Sequence, residues 1–205
     1  MTQLPPSTDV EVDANTFLHR VFDTDSLPAN EVVCVARSYV KANGVGFHNQ
    51  PLSKTLADKA ANSNDPYYFC VSTVKKQADS EKYLKRSRSH TECTYLIGLD
   101  DIGTKAIGPE LEPSYKIETS PGNFQWGYLI EPYELDGANG EQTKYCEACV
   151  QGLIEAGMSD PGAVGCYRLL RIPGSINTKP ENNSFRARVT HWAPDRSWSL
   201  ADLMT

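Results

Sequence analysis

The sequence predicts an α+β fold, with a mostly antiparallel sheet backed by one or two helices. Segments dense in aromatic and β-branched residues recur as strand candidates in both halves of the chain. The turn residues Ser120 to Asn123 separate two of them as a hairpin. A longer segment, Glu141 to Ala156, instead has apolar residues at helical spacing and is followed by Gly157. From residue 90 onward the chain therefore reads as strand, hairpin, helix, strand, strand.

The first half of the chain is less regular. Residues 1–13 are acidic and contain prolines, which is typical of a disordered lead-in. The stretch from Lys41 to Asp65 is interrupted by two glycines and a proline, so it is predicted to be irregular apart from one helix near Ser53 to Ala61. The other predicted elements of this half are a helix over Ala14 to Phe22, a short strand over Val32 to Val35 and a strand over Tyr67 to Val74.

The second half contains the remaining strands. They are predicted over Thr94 to Leu99, Ser114 to Thr119, Phe124 to Ile130, Cys166 to Ile172 and Phe185 to Trp192. On the third of these, Phe124, Trp126 and Tyr128 share one face because side chains alternate along a strand. This face is expected to be core, and stacking on single-stranded bases is the alternative.

Composition limits the class of protein. The chain has 205 residues, of which 40% are hydrophobic and 22% charged, enough to bury a sizeable core as one domain. No apolar run approaches the ~20 residues that span a bilayer, and the acidic start lacks the features of a signal peptide. We therefore expect a cytoplasmic protein that contacts no membrane.

The charge of the chain argues against one kind of nucleic-acid binding. A formal net charge of -6 does not suit a protein that coats duplex DNA through bulk positive charge. Basic residues still cluster between Lys82 and Arg88. A solvated loop is the default interpretation of this run, and contact with a nucleic-acid backbone is the second.

Six cysteines raise the question of a metal site or disulfides. Cys146 and Cys149 form a CxxC pair, but both fall on the apolar stripe of the predicted helix. No second ligand pair at comparable spacing accompanies them, as a structural zinc site would need. Reduced core cysteines are therefore expected.

The most informative segment runs from Arg168 to Lys179, with the sequence Arg-Leu-Leu-Arg-Ile-Pro-Gly-Ser-Ile-Asn-Thr-Lys. On a strand, Leu170 points one way and Arg171 the other, after which Pro173-Gly174 reverses the chain. Two guanidiniums and one ammonium would then converge at one corner, which suits a triphosphate or a nucleic-acid backbone. For either arginine alone, a solvated strand end is the simpler interpretation.

A pair of carboxylates forms the second candidate feature. Asp100 and Asp101 directly follow an apolar strand and precede Gly103 and Lys105. For the sequence Asp-Asp-Ile-Gly, a strand-to-turn cap and metal binding are about equally common roles.

Three segments together resemble the motifs of archaeo-eukaryotic-type primases, in particular the primase-polymerases of plasmids and phages. They are Asp100-Asp101, the hairpin Thr119 to Trp126, and Arg168 to Lys179, and the resemblance covers roughly residues 90 to 192. It implies a single domain over residues 14–205, in which an N-terminal α/β module (14–89) precedes an RRM-like core (90–205) that carries the motifs.

The resemblance also implies an activity. The protein would be a DNA primase or primase-polymerase of a phage or plasmid replication protein, acting in the host cytoplasm on a single-stranded DNA template. In such chemistry, carboxylates hold Mg or Mn ions that bridge the incoming nucleoside triphosphate and the primer 3′-oxygen. A helicase, as a further domain or subunit, is the partner that the family suggests.

Individual roles follow from matching the motifs residue by residue. Asp100 and Asp101 would be catalytic metal ligands, and Glu118 would supply a third carboxylate if its side chain faces Asp100. The remaining assignments are triphosphate contacts by Ser120, Gln125, Arg168, Arg171, Asn177 and Lys179, and nucleic-acid contacts by Lys105, Arg86 and Arg88.

Departures from the family pattern leave two hypotheses open. The family's first motif usually has two carboxylates two residues apart, but here the positions flanking the aspartates are Gly98 and Ile102. Gln125 stands where the family commonly has histidine, and Gly165 where it has a further acid. Asp160 is close to the last position, but its place before Pro161-Gly162 favours a turn role. One hypothesis is an active metal-dependent nucleotidyltransferase, and the other is a primase-like domain without chemistry that binds nucleotide or single-stranded DNA. A small phosphate-binding enzyme of another kind is the weakest alternative, because no Walker loop or Gly-x-Ser-x-Gly elbow is present.

Overall fold

The structure, a computed structural model, describes residues 10–42, 44–77, 83–182 and 184–204. The helices are α1 (Ala14–Phe22), α2 (Lys54–Asn62) and α3 (Glu141–Glu155). The strands are β1 (Glu31–Lys41), β2 (Gly44–Pro51), β3 (Tyr67–Lys75), β4 (Thr91–Ile102), β5 (Tyr115–Ser120), β6 (Asn123–Glu134), β7 (Leu169–Arg171), β8 (Ile176–Asn177), β9 (Phe185–Arg186) and β10 (Arg188–Trp192).

Eight of these strands form one sheet, and neighbouring strands within it run antiparallel. The order is β10-β5-β6-β4-β3-β1-β2, and β7 pairs with β3 beside this path. Strands β8 and β9 form a separate two-stranded ribbon. The predicted α+β fold with a mostly antiparallel sheet is therefore confirmed. Strands from both halves of the chain share this sheet, since β3 pairs directly with β4.

Strand β7 fills a gap inside the sheet. The C-terminal half of β3 pairs with β4 at Ser72↔Thr94, whereas its N-terminal half pairs with β7 at Phe69↔Leu170. The two long strands therefore separate, and Leu170 packs between them against Gly98. A Cβ atom at position 98 would lie 2.4 Å from Leu170 Cδ1, so any larger residue at this crossing would have to displace Leu170.

Apolar side chains cover both faces of the sheet. Leu96 and Ile97, adjacent on β4, belong to different core clusters, because successive side chains on a strand point to opposite faces. Helices α1 and α2 pack on the face of Leu96, and α3 packs on the face of Ile97. The predicted core face of β6 lies under α3, where Tyr128 is completely buried.

The helices form where the spacing of apolar residues predicted them. The buried residues of α1 are Ala14, Phe17, Leu18, Val21 and Phe22, which fall on one helical face. Asp13 caps this helix by accepting a hydrogen bond from the Thr16 amide at 2.9 Å. On α3, Cys146 and Cys149 lie on the buried stripe, and all six cysteines are buried free thiols. The predicted place of the cysteines in the core is confirmed.

Strand boundaries differ more from the predictions. Strand β1 has 11 residues, where only Val32 to Val35 were predicted, and β2 forms in a stretch that was predicted to be irregular. This strand lies at the edge of the sheet and pairs only with β1, so Pro51 removes no second ladder hydrogen bond there. Strand β7 is shorter than predicted because the chain still turns at Gly165, which has φ 100°.

The beginning of the chain is described from Val10 onward. Val10 donates a backbone hydrogen bond to Val189 at 3.3 Å, and Val12 packs against the core. Residues 1–9 of the predicted lead-in lie outside the described residues. Within the described part of the chain, none of the helices combines the length and apolar character needed to cross a bilayer.

Candidate functional site

The candidate site lies at the end of β4, where a bulge interrupts the pairing with β6. Leu99 pairs with Trp126 and Ile102 with Phe124, so Asp100 and Asp101 together oppose one residue of β6. Asp101 has φ 58°, a left-handed conformation that aspartate tolerates better than most residues. The bulge thus breaks the alternation of the strand and turns two consecutive carboxylates out of the ladder.

Asp100 joins the acidic pair to the cationic segment. Its Oδ2 accepts a hydrogen bond from Arg168 Nη2 at 2.7 Å. Its Oδ1 accepts from the Asp101 amide at 2.9 Å, and its own amide donates to Ser159 Oγ at 3.0 Å. Two segments separated by 68 positions therefore meet at one ion pair.

Asp101 is held by two side-chain donors. Lys105 Nζ lies 2.6 Å from its Oδ2, and Asn123 Nδ2 lies 2.9 Å from its Oδ1. The turn after β4 brings Lys105 back, since its amide donates to the Asp101 carbonyl at 3.0 Å. Burial alone would raise the pKa of Asp101, but these bonds and the charges of Lys105 and Lys179 outweigh it and hold the pKa below its usual value. The hydrogen bonds to Asp101 and Asp160 raise the pKa of Lys105 to about 12.

Asp160 is a site residue that sequence reasoning assigned only to a turn. Its Oδ1 does accept from the Gly162 amide at 2.7 Å, as a turn role requires. Its Oδ2 also accepts from Lys105 Nζ at 3.2 Å, so Asp101 and Asp160 share one ammonium. The Asp160 amide donates to the Asp100 carbonyl at 3.2 Å, a long-range backbone contact without a sequence signal.

Arg171 and Gln125, both assigned to the triphosphate, contact each other. Gln125 Oε1 accepts from the Arg171 amide at 2.9 Å. The Arg171 guanidinium donates to the Ile176 carbonyl at 2.6 Å and to Tyr68 Oη at 3.0 Å, and the residue is only 6% exposed. Arg171 therefore holds the turn after β7 in place and lies below the surface.

Asn177, Ser120 and Lys179 lie around the same turn. Asn177 Nδ2 donates to the Thr119 carbonyl at 2.9 Å and ties the turn to the hairpin. Ser120 is buried at the end of β5, in register with Asn123. Lys179 is exposed, its amide donates to Asn177 Oδ1 at 3.3 Å, and its charge acts on Asp101. These three residues therefore border the Asp100–Asp101 bulge.

Glu118 does not join the Asp100–Asp101 pair through any contact within the described residues. Its Oε2 pairs with Arg188 Nε at 2.8 Å and Nη2 at 2.7 Å, and its Oε1 accepts from the Gly122 amide at 2.9 Å. In register it faces Phe124, whose side chain packs with the α3 cluster. Its carboxylate oxygens thus already have partners at the hairpin.

The described arginines of the basic run between β3 and β4 bond to groups other than Asp100 and Asp101. Arg88 forms an ion pair with Glu147 of α3. Arg86 donates to the Tyr167 carbonyl and lies between the rings of Phe47 and Tyr167. Lys82 lies outside the described residues.

Comparison with family models and with curated protein sequences gives no match. Comparison with solved structures does. The AEP domain of the primase-polymerase from cyanophage S-2L is similar with a TM-score of 0.59 at 12% identity, covering 84% of this chain and 87% of that one. The primase RepB′ is similar with a TM-score of 0.55 at 16% identity, covering 93% of this chain and 60% of that one. The chain has the archaeo-eukaryotic primase fold. The resemblance seen in the three motifs is thus confirmed at the level of the fold.

The primase fold raises the question of whether these residues fit a pair of divalent ions. Such a centre needs several carboxylates on one face that can share the ions. Leu170 fills the space over Gly98, one of the two positions flanking the aspartates, and so leaves no room there for a further carboxylate. Arg168 and Lys105 already neutralise the carboxylates that are present. Among the described residues, no group of three or more His, Cys, Asp or Glu side chains is arranged to hold a metal ion. As arranged, the residues do not fit a two-metal centre.

What this arrangement can do chemically is bind anions. Lys105 and Lys179 are exposed ammoniums at the rim of the primase-fold site. Arg168 donates to Asp100 through Nη2, but its Nε and Nη1 are buried without a hydrogen-bond partner in the described part of the chain. Buried donors of this kind are favourable only when an acceptor reaches them.

Proposed function

We propose that this chain is the primase-type domain of a phage or plasmid replication protein and that it binds nucleoside triphosphate and single-stranded DNA without transferring nucleotides. One observation carries the proposal: the site is neutralised from within, because Arg168 pairs with Asp100 and Lys105 bridges Asp101 and Asp160. In a nucleotidyltransferase, divalent ions would hold these positions. Here Arg168 and Lys105 pair with the carboxylates, and the exposed ammonium of Lys179 can meet a phosphate without a metal.

The first test is metal removal. Binding of a labelled nucleoside triphosphate and of a labelled single-stranded oligonucleotide is measured by fluorescence anisotropy, with excess EDTA and with Mg or Mn. We expect the same affinities in both conditions, within about twofold, since no ion takes part. Lys179→Ala should weaken both, because its ammonium is exposed at the rim. Affinity that requires the metal would contradict the proposal.

Metal-dependent nucleotidyl transfer with Mg or Mn is the alternative, and one observation favours it. Asp101 and Asp160 share a single ammonium, on a lysine whose side chain is largely exposed. If Lys105 turned away, two carboxylates would be freed beside Asp100. Incorporation of a labelled nucleotide on a primed template separates the two functions. The binding proposal expects no incorporation by the wild type or by Lys105→Ala. The alternative expects incorporation that Lys105→Ala preserves and that Asp100→Ala with Asp101→Ala abolishes.

A further inference from the structure

A ladder of aromatic rings and guanidiniums lies beside the candidate site, and we call the four residues Phe47, Tyr68, Arg86 and Tyr167 the aromatic platform. The ring centroids of Phe47 and Tyr68 are 5.8 Å apart at 85°. The Arg86 guanidinium lies 5.7 Å from the Phe47 ring centroid and 6.0 Å from that of Tyr167. The Arg171 guanidinium lies 4.7 Å from the Tyr68 ring. Successive contacts therefore link Arg171, Tyr68, Phe47, Arg86 and Tyr167, and Phe47 on the edge strand β2 lies in the middle of this series.

Two rings of the aromatic platform are exposed. Phe47 and Tyr167 are each 37% exposed, although large apolar side chains are normally buried. The Arg86 Nε is buried and has no hydrogen-bond partner in the described part of the chain. An unmatched donor between two open rings is unfavourable in the free protein unless an acceptor can reach it. Packing of the core therefore does not account for this surface.

The aromatic platform is also continuous with the candidate site. Tyr167 immediately precedes Arg168, whose guanidinium contacts Asp100. At the other end of the ladder, the amide of Arg171 donates to Gln125 under the hairpin. A polymer bound at the carboxylate bulge would therefore cross Tyr167 and Phe47 on its way to β2.

We propose that the aromatic platform stacks unpaired bases of a single-stranded DNA that leaves the Asp100–Arg168 site toward β2. Every base offers a π face to an open ring, and arginine contributes both charge and a flat cationic surface. This combination suits a single strand, which exposes its bases, and it works locally in a chain whose net charge is -6. The inference rests on the proposed function, since it names where one of the two ligands lies.

The test compares two oligonucleotides on two proteins. The ligand is a labelled single strand of about 20 nucleotides, used either intact or with abasic positions that keep the phosphates. The variant is Phe47→Leu with Tyr167→Leu, which keeps apolar bulk but removes both π faces, and its fold is checked by circular dichroism. Tyr145→Leu is the matched control, because Tyr145 is an exposed tyrosine on α3, outside the aromatic platform.

We expect the double variant to bind the intact strand at least roughly tenfold more weakly than the wild type, because base stacking is lost. The wild type should lose a similar factor on the abasic strand. The double variant should lose little more on that strand, because both changes remove the same contact. Tyr145→Leu should bind the intact strand like the wild type, and a duplex of equal length should bind the wild type more weakly than the single strand.

The two proposals fail in different ways. If the double variant binds the intact strand as tightly as the wild type, or if the wild type does not distinguish abasic from intact strands, the aromatic platform does not bind bases and the proposed function stands. If the wild type binds neither the oligonucleotide nor the nucleoside triphosphate, the proposed function falls and the inference falls with it.

Discussion

At the residue scale, packing against Leu170 limits which side chain fits at position 98. Position 98 is a glycine because Leu170 lies in the space that any Cβ would occupy. A carboxylate there would need Leu170 to move, and Leu170 is itself completely buried in the gap between β3 and β4. Packing therefore opposes a carboxylate at position 98, and one substitution would not introduce it without displacing Leu170.

We expect Gly98→Ala to lower the free energy of unfolding by about 1–3 kcal/mol, the usual cost of overpacking a well-filled core. The added methyl group would lie 2.4 Å from Leu170 Cδ1. Gly152→Ala is the matched control, because it adds the same group to the exposed surface of α3, where no atom lies within 4 Å. It should stabilise the protein by roughly 0.5–1 kcal/mol through helix propensity. Denaturant unfolding of both variants measures these changes, and equal effects would contradict the packing argument.

At the scale of elements, the bulge at the end of β4 positions the carboxylates of the candidate site. It presents Asp101 to Lys105 and Asn123, and it lets the Asp100 backbone bond to the segment that carries Asp160.

The stabilisation that comes from pairing Asp101 with Lys105 should depend on pH in a defined direction. The pKa of Asp101 is lowered on folding, so its stabilising effect is present above the usual pKa of 3.8 and is lost as pH falls through the folded value. The pKa of Lys105 is raised to about 12, so the stabilising effect of its charge is lost only at pH values far above neutrality.

The difference in melting temperature between the wild type and Asp101→Asn is the measurement of this effect. We expect the wild type to melt higher by a constant amount between pH 5 and pH 8, and the difference to shrink below about pH 4. Asp25→Asn, at an exposed aspartate outside the site, is the control and should show no comparable trend. A difference that grows as the pH falls would have the wrong sign for the pairing described here.

Local periodicity predicted the elements that pack against the core by one face. It did not predict strands whose formation depends on their position in the sheet. The helix Ala14–Phe22 and the core face of β6 follow directly from apolar spacing. Strand β2 was missed because glycine and proline usually end strands, whereas an edge strand tolerates them. The convergence of Arg168 with Asp100 could be inferred from the family motifs, but the partners of Glu118 and Arg171 depend on register and on the third dimension.

At the scale of the whole molecule, apolar side chains cover both faces of the main sheet. The reactivity of the buried cysteines measures how closely these faces are covered. All six thiols are buried in the described structure. Burial raises the pKa of Cys70 and of Cys146 to about 12, so almost no reactive thiolate forms at neutral pH.

We therefore expect none of the six cysteines to react with an aromatic disulfide reagent at pH 8 in the native protein, and all six to react in denaturant. The released thiolate is counted by absorbance. A stoichiometric fast reaction under native conditions would show that one face of the sheet opens readily.

The position of β7 has a consequence for how this protein is made. The Arg171 guanidinium meets Tyr68 across 103 positions, so both long strands around the opening are synthesised well before the segment that closes it. Such distant pairing slows folding, because a large chain loop must close before the contact forms. In a nascent chain, the gap between β3 and β4 would stay open until β7 has been synthesised. The segment that carries Arg168 is thus also the one that fills the gap between β3 and β4, so the Asp100–Arg168 contact forms only once β7 has been made.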